Sequence, residues 1–224
     1  MEERFCRNIP ALSQREQALL RRRHVCVVGC GGLGGYLVEY MARVGVGTLT
    51  VIDGDRFDTS NLNRQLLSSP AVLGTSKAEA AARRIAEIDP DISVCTHTVF
   101  LTPENAAALL DGADLALDAL DSGDARKILS DACRARHIPL VHGAVQGWNA
   151  QVAVCMPEDR TLEQLCPPGM QSADKSCLSF TPALCAAIQA AEAVKLLTGR
   201  APSLKSRLLF ADLRDMDFET IELS

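Results

Sequence analysis

Apolar residues gather along the chain in short runs that alternate with stretches of helical spacing. The runs at 25–30 (VCVVGC), 48–53 (TLTVID), 92–100 (ISVCTHTVF), 115–120 (LALDAL) and 138–145 (IPLVHGAV) predict buried strands. Between the first two, Leu33, Leu37, Tyr40, Met41 and Val44 recur at helical spacing and stop at Gly45 and Gly47. Further helices are predicted over 76–89, ended by Pro90, over 104–112 and over 123–137. Regular alternation of strand and helix predicts an α/β fold built on a doubly wound, Rossmann-like, mostly parallel sheet.

The two ends follow other patterns. Ser13 and Glu16 make a capping box for a short helix running towards the arginines at 21–23. Beyond Gly147, residues 150–157 (AQVAVCMP) predict one more strand, and 158–176 are polar, proline-containing and aperiodic, which predicts a mobile loop. Thr181 and Pro182 open a long alanine-rich helix closed by Gly199. Its small residues permit close approach by another element, within the molecule or from a second subunit. The tail, 207–223, predicts a closing hairpin, a C-terminal antiparallel extension of the sheet. One domain over 1–224 is expected, with a helical arm (1–23), a core (24–147), and a crossover loop, long helix and hairpin (148–224).

Composition narrows the possibilities. With 47% hydrophobic and 23% charged residues in 224, neither disorder nor a fibrous repeat is indicated. The net charge is −5 and no lysine/arginine stripe stands out, which excludes a nucleic-acid partner. The N-terminus is charged without an apolar stretch, and no run of 18 apolar residues occurs, so a cytoplasmic protein without a membrane partner is expected. Nine cysteines, an odd number, are expected to be reduced thiols. No CxxC or HxxxH pair is present, so no zinc is expected.

Candidate chemistry begins at the first strand-to-helix turn. Gly29, Gly31, Gly32 and Gly34 satisfy GxGGxG, where free N–H groups and the helix dipole favour an anion. Asp53 ends the second strand, 19 residues past Gly34, where a carboxylate accepts hydrogen bonds from ribose hydroxyls. An adenine nucleotide follows, although a nicotinamide dehydrogenase has the same parts, and glycines needed only for helix–strand packing are the plain alternative.

The next stretch, DGDRFDTSNLNRQLL, adds Asp55, Asn61, Asn63, Arg64 and Gln65, and GTSK adds Lys77. Two fixed cations suit a triphosphate whose α-phosphorus is attacked, because they neutralise charge growing in the transition state. Asp118 and Asp121 end the fourth strand at the carboxyl edge of the sheet, where a carboxylate can hold Mg²⁺ against phosphate. Either can instead cap the following helix. No Walker A sequence is present, so ordinary P-loop hydrolysis is not the reading.

These residues, in this order, resemble the ThiF/MoeB/HesA family, relatives of the adenylation domain of ubiquitin-activating enzymes, from Arg4 to about Gly199. That family binds Mg·ATP with a GxGGxG loop, an acidic residue after the second strand, an S-N-L-x-R-Q segment, a lysine, and an aspartate after the fourth strand. Here they are Gly29, Gly31, Gly32 and Gly34, Asp53, SNLNRQ at 60–65, Lys77 and Asp121. The family's R-Y-x-R-[NQ] motif appears as RFCRN, giving Arg7, whose counterpart reaches the ATP of the neighbouring subunit in a homodimer. The resemblance implies ATP and Mg²⁺ as ligands, Asp121 on the metal, and Arg7, Arg64, Lys77 and Asp121 as catalytic residues. It implies adenylation of the C-terminal Gly-Gly carboxylate of a small ubiquitin-like sulfur-carrier protein of the ThiS or MoaD kind, releasing pyrophosphate, in cofactor biosynthesis or sulfur transfer.

The chain departs from that family in three places. Two zinc-binding CxxC pairs common among relatives are missing, and Ser122 stands where an asparagine usually follows the aspartate. Cys177 is the nearest match to the family's reactive cysteine, though it lies closer to the last helix, and Cys166 is also available. Trp148 would line the carrier's channel or pack in the core. A non-catalytic nucleotide-binding scaffold of the same fold and an NAD(P)-dependent oxidoreductase remain as alternatives.

Overall fold

Strands buried on both faces need a layer of helices on each side, and the alternating sequence supplies them. A computed structural model describes residues 3–166 and 176–223. Its parallel strands are β1 (His24–Val28), β2 (Thr48–Ile52), β3 (Ser93–His97), β4 (Leu115–Asp118) and β5 (Leu140–Gln146), and the sheet order is 3-2-1-4-5. Antiparallel β6 (Asn149–Cys155), β7 (Arg207–Asp212) and β8 (Asp217–Glu222) extend it to eight strands. Val25 pairs with Leu49 on one side and Leu115 on the other.

Successive residues of each strand serve opposite layers. Val25, Val27, Leu115 and Leu117 pack with α2 (Gly32–Val44), α3 (Lys77–Ile88) and α7 (Phe180–Thr198). Cys26, Val28 and Ala116 pack with α4 (Ala106–Leu109), α5 (Gly123–Ala135) and α6 (Thr161–Leu165). Leu37, Met41, Leu129 and Leu197 are buried in these layers, each contributing about 1.5–3 kcal/mol of burial free energy. The alanines of α7 serve intramolecular packing: Ala186, Ala190 and Ala193 are buried in the layer that holds α2. By length and hydropathy α7 would suffice to cross a membrane, and half of it is buried inside the protein.

The elements differ from expectation where depth or a side-chain bond ends them. β3 stops at His97 because it is a largely exposed edge strand, after which Phe100 turns back over Gly54. β4 stops at Asp118, whose carboxylate accepts the Leu120 N–H at 2.9 Å in place of a strand partner. The predicted helix at 104–112 shortens to Ala106–Leu109. Part of the predicted mobile loop is the short helix Thr161–Leu165, and 167–175 lie outside the described residues.

The arm is fastened at the far end of α2. Ser13 and Glu16 form the capping box of α1 (Gln14–Leu20), with Ser13 N donating to Glu16 Oε2 at 2.7 Å. A 3₁₀ turn, Glu3–Asn8, precedes it. Its Phe5 ring fills the space a side chain on Gly45 would take, at the C-cap of α2. Arg4 and Arg21 both pair with the buried carboxylate of Asp89.

Candidate functional site

The strand order reverses between β1 and β4, and the crevice beyond their carboxyl ends is where open α/β sheets bind ligands. β1 delivers the glycine turn there and β4 delivers residues 119–121. The two are in contact, since Ala119 N donates to Val28 O at 2.9 Å.

The four glycines divide into two kinds. A Cβ on Gly34 would lie 1.8 Å from the carbonyl oxygen of Gly29, and one on Gly29, at φ +95°, would lie 2.6 Å from that of Ala119. Both are glycine for backbone packing. A Cβ on Gly31 would come no closer than 3.4 Å to Gln65, and one on Gly32 no closer than 3.8 Å to Pro182 and 3.9 Å to Arg64. Packing does not demand glycine at these two, and they leave open the uncapped N-terminus of α2, where an anion could approach the backbone. Gly34→Ala is therefore expected to lower the melting temperature by ~10 °C, from overpacking of about 3 kcal/mol. Gly32→Ala is expected to melt within about 2 °C of the parent and to lose nucleotide affinity. Scanning calorimetry and ATP titration of both variants check the division, and equal melting temperatures would contradict it.

Asp53 organises the turn as well as facing it. One carboxylate oxygen accepts the N–H of Cys30 at 2.7 Å and the other that of Asp55 at 2.8 Å. Burial pushes its pKa up, against those two N–H groups and the charge of Lys77. Lys77 opens α3, is buried, and sets its ammonium 3.0 Å from Asp55 Oδ2. Phe100, 65% exposed, lays its ring over the backbone of Gly54, an open aromatic face one residue from Asp53.

The SNLNRQ segment wraps the other side. Asn61 is buried and accepts the Asp58 N–H at 3.0 Å, so it shapes the loop from within. Arg64 Nη1 donates to Ser60 O and Asn63 Oδ1, which folds the guanidinium onto its own segment, while the Cγ of its stem lies beside Gly32. Gln65 is buried beside Gly31, and its Oε1 has no hydrogen-bond partner, an orphan that a ligand hydroxyl or amine would satisfy. The residues thus fit an adenine nucleotide: a ribose acceptor, a bare helix N-terminus, an orphaned acceptor and two cations.

The two aspartates of LALDALD separate by depth. Asp118 is fully buried and engaged by His142 Nδ1 at 2.7 Å, whereas Asp121, two residues past Ala119, is exposed. Among the described residues no three His, Cys, Asp or Glu gather as a protein-only metal cage. A single exposed carboxylate suits Mg²⁺, which keeps several waters and takes its remaining oxygens from phosphate.

Cys177 is brought to the site, since Asn63 Nδ2 donates to its carbonyl at 3.1 Å and it pairs with Gly147. Burial pushes its thiol up, with Arg64 opposing. Cys166, beside Arg126, is pushed up in the same way. Trp148 is 43% exposed at the tip of the β5–β6 hairpin, its ring 5.1 Å from that of Phe180. It is a rim residue and not a core one.

Arg7 is not part of this cluster within one chain. Its neighbours Phe5 and Asn8 contact Gly45 and Val44, and the 13 residues of α2 separate that end from the glycine turn by roughly 20 Å.

Sequence reasoning passed over His142, Arg126 and Phe100. Polar residues interrupting two neighbouring apolar strands, Asp118 and His142, are a signal that each is the other's partner. Nothing comparable marks Arg126, which reads as one more polar position on an amphipathic helix.

Comparison with known proteins completes the description. The model of the ThiF family matches residues 5–224. The SAMP-activating enzyme E1 of Haloferax volcanii is 37% identical over 98% of this chain and 84% of its own. The sulfur carrier protein adenylyltransferase of Thermus thermophilus is 34% identical over 95% of this chain and 83% of its own. The probable adenylyltransferase/sulfurtransferase MoeZ of Mycobacterium tuberculosis is 35% identical over 96% of this chain, which spans only 58% of that protein. Among solved structures, E. coli MccB with ATP superposes with a TM-score of 0.83 over 100% of this chain and 72% of its own. At 19% identity that likeness is one of fold.

Proposed function

The chain belongs to the ThiF family, and from that premise we propose that it is an ATP-dependent adenylyltransferase acting on a small ubiquitin-like sulfur-carrier protein. Its relatives include an enzyme named as a sulfur carrier protein adenylyltransferase and one named as a SAMP-activating E1. The observation that carries the reading to this chain is that the stem of Arg64 flanks the bare face of Gly32, while Lys77, paired with Asp55, acts through its charge on Asp53, the residue that holds the Cys30 N–H of the same turn.

The C-terminal Gly-Gly carboxylate of the carrier attacks the α-phosphorus of ATP. A bond forms between carboxylate oxygen and phosphorus, the bond from phosphorus to the α,β-bridging oxygen breaks, and pyrophosphate leaves with that electron pair. The nucleophile is already ionised at neutral pH, so no protein base is needed. What the protein must supply is charge compensation and alignment of two anions. The N–H groups at the start of α2 receive the phosphates, Arg64 and Lys77 offset the growing negative charge, and Asp53 accepts the ribose hydroxyls. Mg²⁺, when bound, supplies further neutralisation of the phosphate oxygens, and Asp121 is the residue that would hold it. Arg7 enters from a second copy of the chain in a homodimer, because its own turn is too distant. The exposed Trp148–Phe180 pair lies by Pro182, which walls Gly32, and fits the apolar residues of the carrier tail. Cys177 has no part in adenylation itself. An oxidoreductase would leave Arg64 and Lys77 without work.

ATP–pyrophosphate exchange decides the matter. With a cognate carrier ending in Gly-Gly, exchange is expected to depend on the carrier and to vanish when its last glycine is deleted. Exchange with no cognate carrier, or equal exchange with the truncated one, would refute the proposal.

A further inference from the structure

Asp118 is a charged residue with no solvent exposure, and the adenylation chemistry leaves it without a task. Burying a carboxylate is costly unless every oxygen is engaged, and here both are. Oδ1 accepts the N–H of Leu120 at 2.9 Å. Oδ2 faces His142 Nδ1 at 2.7 Å and Arg126 Nε at 3.5 Å. The amide nitrogen of Gln151 lies 3.3 Å from His142 Nε2, which places the ring proton of a neutral imidazole on Nδ1, donated to Asp118. His142 is itself fully buried, so the pair is a fixed part of the β4–β5 interior. From β4's other side Gln189 Nε2 donates to the carbonyl of Asp118 at 2.9 Å.

The consequence lies one residue further on. Arg126 reaches back from α5 and Nη2 donates to the carbonyl of Leu120 at 2.7 Å. Both hydrogen-bonding groups of Leu120 are thereby held by side chains that face each other as an ion pair at 3.5 Å, without a hydrogen bond between them. Leu120 immediately precedes Asp121, and a residue following a doubly anchored one leaves the strand end in a fixed direction. Ser122 completes the hold from the far side by capping α5, accepting the Ala125 N–H at 3.2 Å. A lone carboxylate offered to a metal gains most from such anchoring, since no neighbouring protein ligand restricts it.

We infer that Asp118, with Arg126, is a positioning residue for Asp121: together they clamp the Leu120 backbone so that Asp121 meets the metal of the bound nucleotide. The inference rests on the reading of Asp121 as the metal-facing carboxylate. Its test is Mn²⁺ binding to the full chain with ATP, followed by the electron paramagnetic resonance signal of the protein-bound metal measured against Mn·ATP alone, alongside ATP affinity without metal and melting temperature. Asp118→Asn and Arg126→Met are each expected to weaken Mn²⁺ binding about tenfold, the lower end for residues that orient a ligand, with metal-free ATP affinity unchanged within about twofold. Introduced into Asp121→Asn, neither is expected to weaken binding further, because residues acting through one group are not additive.

If Asp118→Asn does not fold, Arg126→Met carries the test, since Arg126 is partly exposed and its loss leaves the Asp118–His142 pair in place. Equal weakening in the parent and in Asp121→Asn, or none in either, overturns the positioning role alone. Unchanged Mn²⁺ binding in Asp121→Asn itself overturns the metal-facing reading, and the inference with it.

Discussion

Lys77→Met is expected to lower carrier-dependent ATP–pyrophosphate exchange by about 10²–10³-fold, the scale on which a single preorganised donor to a developing charge acts. The magnitude follows from what surrounds the ammonium. Lys77 holds Asp55 twice, through its backbone N–H to the Asp55 carbonyl and through Nζ to the carboxylate, each at 3.0 Å. It also opposes the burial that raises the pKa of Asp53. Removing the cation takes away one phosphate partner and leaves two carboxylates beside the incoming triphosphate, so repulsion adds to the lost attraction. Stability is expected to change little. Methionine keeps the buried stem, and Asp55, whose side chain is 55% exposed, returns to water instead of remaining as an uncompensated interior charge. Exchange assays with calorimetry on the same preparation check this. Exchange within tenfold of the parent would remove Lys77 from the catalytic set.

The core around that site was legible because its signals are local. A GxGGxG turn between an apolar run and a helix, and an acidic residue closing the next strand, place themselves on any parallel sheet. The role of each glycine was not legible, since Gly34 and Gly32 differ only in what lies opposite: a carbonyl oxygen 1.8 Å from one Cβ position and a ring carbon of Pro182 at 3.8 Å from the other. Those neighbours come from elsewhere in the chain, and Pro182 is 150 residues away. Depth was hidden in the same way. Asp118 and Asp121 read as two equivalent carboxylates, but a central strand buried on both faces engulfs the first and releases the second once the chain turns at Leu120. The edge of the sheet was over-read: ISVCTHTVF is apolar enough for nine strand residues, yet an edge strand with one neighbour ends where Phe100 finds Gly54. The short helix at 161–165 had no periodicity long enough to detect.

Arg7→Ala is expected to lower exchange about 10²-fold or more, as loss of a cation supplied to a phosphoryl centre does, and the loss is expected to be repaired by a differently damaged partner. Within one chain the arm is locked to the wrong end of α2 for a direct role. Phe5 sits against Gly45, and Arg4 and Arg21 converge on Asp89. Undocking the turn that carries Arg7 to reach the chain's own glycine turn would take Arg4 from the Asp89 carboxylate, which is 1% exposed, and Phe5 from its seat against Gly45. A second copy related by a two-fold axis would supply an arginine without undocking anything. In a homodimer of that kind, subunits carrying Arg7→Ala and subunits carrying Lys77→Met are each inactive alone. After subunit exchange of an equal mixture, half of the dimers are mixed, and in each of these one site has its own Lys77 and its partner's arginine intact. Activity of about a quarter of the parent is therefore expected. Were Arg7 to serve the site of its own chain, every site in every dimer would carry one substitution, and the mixture would stay as inactive as its components.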